Sequence, residues 1–172
     1  MRVYLLRHGP AGSRDASRWP DDSVRPLSPK GRERTEQAVH GLARLETEPT
    51  LILTSPLVRA EQTAKLLRSA YPKPVQIEKL DALAPGGSYR AVIQRLGEAS
   101  ANDAIILVGH EPDLGKLAGV LVFGAPASSL PLKKAGACSI MFNAEVRAGA
   151  GHLHWFITPR VLRRLARKGA KV

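Results

Sequence analysis

The sequence predicts an α/β fold, a three-layer α/β/α sandwich around a mostly parallel sheet, with an antiparallel element near the C-terminus. Three observations carry that prediction. Continuous apolar runs at residues 3–6, 51–53 and 104–108 are strand-sized and suit strands buried on both faces. Stretches with a helical apolar stripe alternate with them. Toward the end the hydrophobic period falls to two, over residues 137–146 and 152–157.

Val3-Tyr4-Leu5-Leu6 is the first strand, and residues 10–27, rich in Pro, Ser, Asp and Arg, form a loop. Ser28-Pro29 then starts a helix, because Ser caps free N–H groups and Pro suits the first helical position. Ala38, Val39, Leu42 and Leu45 give this helix its apolar stripe. Leu51-Ile52-Leu53 is a second buried strand, followed by Thr54-Ser55-Pro56 and a helix over about residues 57–70. A brief third strand covers 75–77, and a helical pattern runs over 89–96. The run at 104–108 is the most apolar, and Gly109-His110-Glu111-Pro112 opens a helix carrying Leu114, Leu117, Ala118 and Leu121. The turn Ala148-Gly149-Ala150-Gly151 separates the two period-two segments, which read as an antiparallel hairpin. Residues 1–159 form one domain, and 160–172 a basic tail.

The chain has 172 residues, 44% of them hydrophobic and 24% charged, which excludes collagen, coiled coil and global disorder. Lys and Arg number 26 against 15 Asp and Glu, a net charge of +11 that predicts an anionic partner. Aromatics are only 5% and no nucleic-acid recognition motif is present, which argues against nucleic acid as that partner. No apolar run is long enough for a transmembrane helix, and residues 3–6 are too short for a signal peptide. A cytoplasmic protein without a membrane partner is expected. Cys138 stands alone, so no intrachain disulfide or Cys-rich zinc site exists; alternating with apolar residues, it reads as a buried small hydrophobe. No metal-ligand spacing occurs either, and His152 and His154, two apart, read as a solvent-facing pair. Gly109-x5-Gly115-Lys116 has one residue too many for a phosphate loop, and Leu117 stands where a magnesium-binding hydroxyl belongs.

Three strands end in chemistry-bearing residues. The first ends in Arg7-His8-Gly9, the second in Thr54-Ser55-Pro56 with Arg59 close behind, and the 104–108 strand in Gly109-His110. In a parallel sheet all three ends share one edge, where ligand sites of open α/β sheets form. Helix N-termini add positive potential there. Such a site wants an anion with several oxygens, most simply a phosphoryl group.

Leu6-Arg7-His8-Gly9, Ser55-Pro56-Leu57-x-Arg59-Ala60-x-Gln62-Thr63-Ala64 and Val108-Gly109-His110 resemble the histidine phosphatase superfamily, also called phosphoglycerate mutase-like. Asp22-Ser23-Val24-Arg25-Pro26-Leu27-Ser28 and the compact length resemble its small bacterial phosphohistidine phosphatases, and the match runs to about residue 158. The resemblance implies that His8 is the nucleophile, becoming a transient phosphohistidine. It implies that Arg7, Arg59 and His110 hold the phosphoryl oxygens, with Arg25 as a further clamp and Gly9 and Ser55 beside the phosphate. Ser55 either orients the phosphate or caps the helix. No metal or other cofactor is required.

One departure stands out. The superfamily usually carries a general-acid Glu after the third strand, where this chain has Ala82. Asp81 and Glu111 are the candidates to replace it. The implied function is a metal-independent phosphohydrolase acting on phosphohistidine of a protein. The alternative is a general phosphomonoesterase acting on a small phosphorylated substrate. Mutase activity would call for a more enclosed site. In the tail, Arg160, Arg163, Arg164, Arg167, Lys168 and Lys171 place six cations in thirteen residues, either as a solvated end or to steer an acidic phosphoprotein. Val161, Leu162 and Leu165 could lay a short helix on the body.

Overall fold

The computed structural model describes residues 1–45, 48–126 and 130–167. Its elements are β1 (Arg2–Arg7), α1 (Pro29–Ala43), β2 (Leu51–Thr54), α2 (Val58–Ser69), β3 (Gln76–Lys79), α3 (Tyr89–Gly97), β4 (Ala104–Gly109), α4 (Asp113–Phe123), β5 (Ala137–Met141), β6 (His152–Ile157) and α5 (Pro159–Leu165). Short 3-10 turns cover Asp22–Val24 and Asp81–Leu83. The six strands form one sheet in the order β3-β2-β4-β1-β5-β6. The four strands from β3 to β1 pair in parallel, and β5 is antiparallel to both β1 and β6. This is the mostly parallel sandwich that the sequence predicts.

Side-chain alternation sorts the core into two layers. Tyr4 and Leu6 of β1 and Ile106 and Val108 of β4 face Val39, Leu42, Ala64 and Leu67 of α1 and α2. Val3, Leu5, Ile105 and Leu107 face Leu96, Leu114, Leu117 and Leu121 of α3 and α4. β4 lies mid-sheet and every residue in it is buried, which explains why it is the most apolar segment. Cys138 is fully buried in the second layer. His152 and His154 are exposed on the edge strand β6.

The caps follow their sequence signals. Ser28 accepts the Gly31 N–H with Pro29 at the start of α1, and Ser88 accepts the Ala91 N–H at the start of α3. The hairpin differs from expectation. β5 stops at Met141 instead of continuing to Val146, because its partner β1 runs out: Phe142 N–H bonds Met1 O, the last rung. The chain then crosses to α4, where the N–H groups of Gly149 and Gly151 bond the carbonyls of Val120 and Leu121. Backbone bonds to α4 at Gly149 and Gly151 thus take the place of strand pairing, while residues 143–145 and 147–149 stay exposed.

α5 packs on α1, and Leu162 is fully buried there. Burying such a side chain contributes about 1.5–3 kcal/mol. Lys168 and Lys171 lie outside the described residues. At the crossing, the Gly41 Cα meets the Leu162 carbonyl, so a Cβ on Gly41 would collide with backbone that cannot rotate away. Gly41→Ala is expected to destabilise the protein by about 1–3 kcal/mol in urea unfolding. Gly97→Ala, whose Cβ meets open space, serves as the near-neutral control.

Candidate active site

Parallel pairing sets the site. Arg7 lies opposite Gly109, so His8 and His110 leave β1 and β4 side by side. The His8 N–H continues the ladder to Gly109 O at 3.0 Å, and the two rings stand 4.9 Å apart between centroids. On the other flank, the Ser55 N–H bonds Val108 O at 2.9 Å, which brings the Ser55 hydroxyl 2.8 Å from His110 Nε2.

His8 Nδ1 lies 2.7 Å from the Gly9 carbonyl oxygen. A carbonyl only accepts, so Nδ1 carries the proton and Nε2 the lone pair. His8 is only 6% exposed, and burial pushes its pKa down to about 3, aided by the charges of His110, Arg59 and Arg7 against the Gly9 bond. Burial and then Arg59 push His110 down to about 4, against the opposing fields of Asp113 and Asp22. Both rings are neutral at neutral pH. The Ser55 Oγ also accepts the Leu57 N–H at 3.3 Å. A hydroxyl has a second lone pair and one proton, so the Ser55 contact fits either His110 tautomer and leaves Nδ1 as the ring's unpartnered nitrogen.

Three arginines complete the cluster. Arg7 Nη1 donates to Leu132 O at 2.8 Å. Arg59 Nη1 donates to Asp22 O at 2.8 Å, and its Nη2 pairs with the Asp22 carboxylate at 3.0 Å. Arg25 Nε bonds the other Asp22 oxygen at 2.7 Å, and its Nη1 donates to Gly12 O. Burial lowers the pKa of Arg7 and Arg59, while Glu111 and Asp22 respectively oppose that shift. Among the described residues four buried side-chain polar atoms lack a partner, and three are Arg7 Nε, Arg59 Nε and His110 Nδ1. Native structures leave few such groups, so a cluster of three marks a site shaped for a ligand. These residues line an open cleft of about 520 Å³ with His8 and Arg25.

The spacing of the second motif has a mechanical reading. Gln62 accepts the Leu27 N–H at 2.8 Å, and Thr63 accepts the Gly9 N–H at 3.1 Å, so one turn of α2 holds two site loops. Gly9 touches the Thr35 hydroxyl so closely that a Cβ has no room. Arg14, Lys134 and Asp113 also line the cleft, and sequence reasoning did not single them out for the site. Burial and the nearby arginines lower the Lys134 pKa. The signals were weak: Asp113 lies three residues after His110, and Asp22 three before Arg25. Asp81 is exposed in the turn after β3 and is not among the cleft-lining residues. Glu111 lines the cleft, and burial raises its pKa, but one oxygen accepts the Leu132 N–H at 2.9 Å. Ala82 lines a crevice beside His110 and Asp113.

The family model for the histidine phosphatase superfamily (branch 1) matches residues 3–84. An uncharacterized protein of Picosynechococcus is 40% identical over 146 residues, spanning 84% of this chain and 87% of that one. The phosphohistidine phosphatase SixA of Escherichia coli is 30% identical over 162 residues, spanning 92% of this chain and 94% of its own. The chain belongs to the histidine phosphatase superfamily. It is a phosphatase by that membership. A solved structure of SixA complexed with tungstate superposes with a TM-score of 0.80 at 27% identity, covering 94% of this chain and 99% of that one. Among the described residues no group of three or more His, Cys, Asp or Glu could hold a metal ion, and no helix is long and apolar enough to cross a membrane.

Neutrality of the two histidines has consequences below pH 7. Both pKa values are depressed from 6.5, to about 3 and about 4, so the unfolded chain binds more protons in that window. Stability therefore falls as pH drops from about 6.5 toward about 3. Side-chain NMR of the ligand-free protein is expected to show His8 and His110 still neutral at pH 5. Titration of either ring near 6.5 would contradict the buried cationic environment.

Proposed function

We propose that His8 is the nucleophile of a metal-independent phosphohydrolase that forms a covalent phosphohistidine, and that its substrate is phosphohistidine carried on a protein. The observation that carries the proposal is the trio of buried, unpartnered nitrogens on Arg7, Arg59 and His110, lining one cleft with the His8 lone pair. In a loose phosphoryl-transfer transition state charge spreads over three equatorial oxygens, and preorganised donors supply most of the catalysis. The Nδ1–H bond to Gly9 aims the lone pair of Nε2 at phosphorus. Arg25, held by Asp22, stands ready as a further clamp.

Two features support phosphohistidine over an ester. The crevice beside His110 presents Ala82 where an acid would serve an alkoxide leaving group. An imidazole leaves with a conjugate-acid pKa of about 6.5 and needs little help, whereas an ester forgoes roughly a hundredfold or more without a general acid. The cleft is open, which a folded phosphoprotein requires, and a relative of similar length is named for phosphohistidine.

His8→Ala is expected to abolish turnover with native-like circular dichroism, and acid-quenched wild type to carry phosphate on His8; full activity of the variant would overturn the assignment. Arg59→Ala is expected to lower kcat by about 10²–10³-fold, the cost of one main oxyanion donor. Tungstate should compete with substrate, and EDTA should leave activity unchanged. Equal kcat/KM on alkyl phosphates and phosphohistidine would favour a general phosphomonoesterase instead.

A further inference from the structure

The cleft is lined by the carboxylates of Glu111 and Asp113, and they are placed for different work. Glu111 is tied to the protein: one oxygen accepts the Leu132 N–H, and the other packs against Gly115. Asp113, the first residue of α4, faces the segment that follows β3. Its Oδ2 accepts the Gly86 N–H at 3.0 Å, and its Oδ1 accepts the Tyr89 hydroxyl at 3.3 Å. A carboxylate offers about four acceptor positions, so two remain. Among the described residues Asp113 makes no ion pair with Lys or Arg, while Asp22 is spent on Arg25 and Arg59. Asp113 also lines the crevice with Ala82 and His110, and its field reaches the His110 ring.

We infer that Asp113 is the leaving-group residue: its carboxylate accepts a hydrogen bond from the distal ring N–H of a phosphohistidine substrate and so selects phosphorus–nitrogen over phosphorus–oxygen bonds. The inference rests on the phosphohydrolase reading above. In the step, the His8 Nε2 lone pair forms a new P–N bond as the substrate's P–N bond breaks. The bonding pair stays on the substrate nitrogen. The proton on the distal nitrogen does not move, so the product leaves as neutral imidazole. The ring is cationic before cleavage, and the ionised carboxylate keeps its distal nitrogen protonated, so that imidazole and not imidazolate departs. An ester reverses the sign: charge develops negatively on the leaving oxygen, and the same carboxylate repels it. Gly86 and Tyr89 tether one oxygen of Asp113 each, which fixes the orientation of its carboxylate.

The test compares kcat/KM on free phosphohistidine and on phenyl phosphate. For Asp113→Asn, the phosphohistidine value is expected to fall at least tenfold while the phenyl phosphate value holds or rises. Tyr89→Phe, which removes a single tether, is expected to shift the ratio in the same direction by a smaller factor and covers the case in which the Asn variant fails to fold. Equal losses on both substrates, or no loss on either, would overturn the inference in favour of a structural helix-start role. Acid-quenched phosphoenzyme separates the two readings. If His8 is labelled from both substrates but the ratio does not move in the variants, only the Asp113 assignment falls. If wild type leaves phosphohistidine intact, both fall.

Discussion

Parallel pairing of β1 with β4 forces two histidines out of the sheet edge together, and the rest of the site is arranged around that fact. Two imidazoles with centroids 4.9 Å apart cannot both be charged among three arginines. Burial and mutual repulsion keep them neutral, and each neutral ring then needs one nitrogen committed to a fixed partner. Gly9 O supplies it for His8, and the Ser55 hydroxyl for His110. The two remaining nitrogens are a lone pair on His8 and the unpartnered Nδ1 of His110. The two histidines differ in surroundings: a backbone carbonyl holds His8 and a side-chain hydroxyl contacts His110.

The cationic side is balanced rather than maximal. Arg7, Arg14, Arg25, Arg59 and Lys134 line the cleft, yet Asp22 holds Arg25 and Arg59 in place, and the field of Glu111 reaches Arg7. Carboxylates among the guanidinium groups lower their mutual repulsion and fix the direction of their donors. The excess that remains is positive, in keeping with a dianionic phosphoryl group.

Much of this was legible in the chain. The buried strands announced themselves as continuous apolar runs, because a central parallel strand has no solvent face. Arg7, His8, Arg59 and His110 lie at the strand ends or in the helix turn that the sequence places at one edge. The strand order was not legible, since β4 inserts between β1 and β2 through contacts far apart in sequence. The early end of β5 was hidden too: residues 142–146 keep a period of two but have no strand left to pair with. At the site, Asp113 and Lys134 entered through tertiary folding and carry no motif. Asp81 sits beside Ala82 in the chain, but the 3-10 turn leaves its side chain exposed, and adjacency in sequence could not reveal that.

The unpartnered nitrogens of Arg7, Arg59 and His110 also bear on product release. Buried N–H groups without acceptors cost the free protein on the order of 1–3 kcal/mol each. Any tetrahedral oxyanion that enters relieves that cost, and inorganic phosphate is such an anion. The released product therefore competes for the site it leaves, and by mass action it also favours the folded chain over the unfolded one. On the proposed mechanism, turnover in a phosphate-rich solution slows with the time the emptied cluster takes to give up its last occupant.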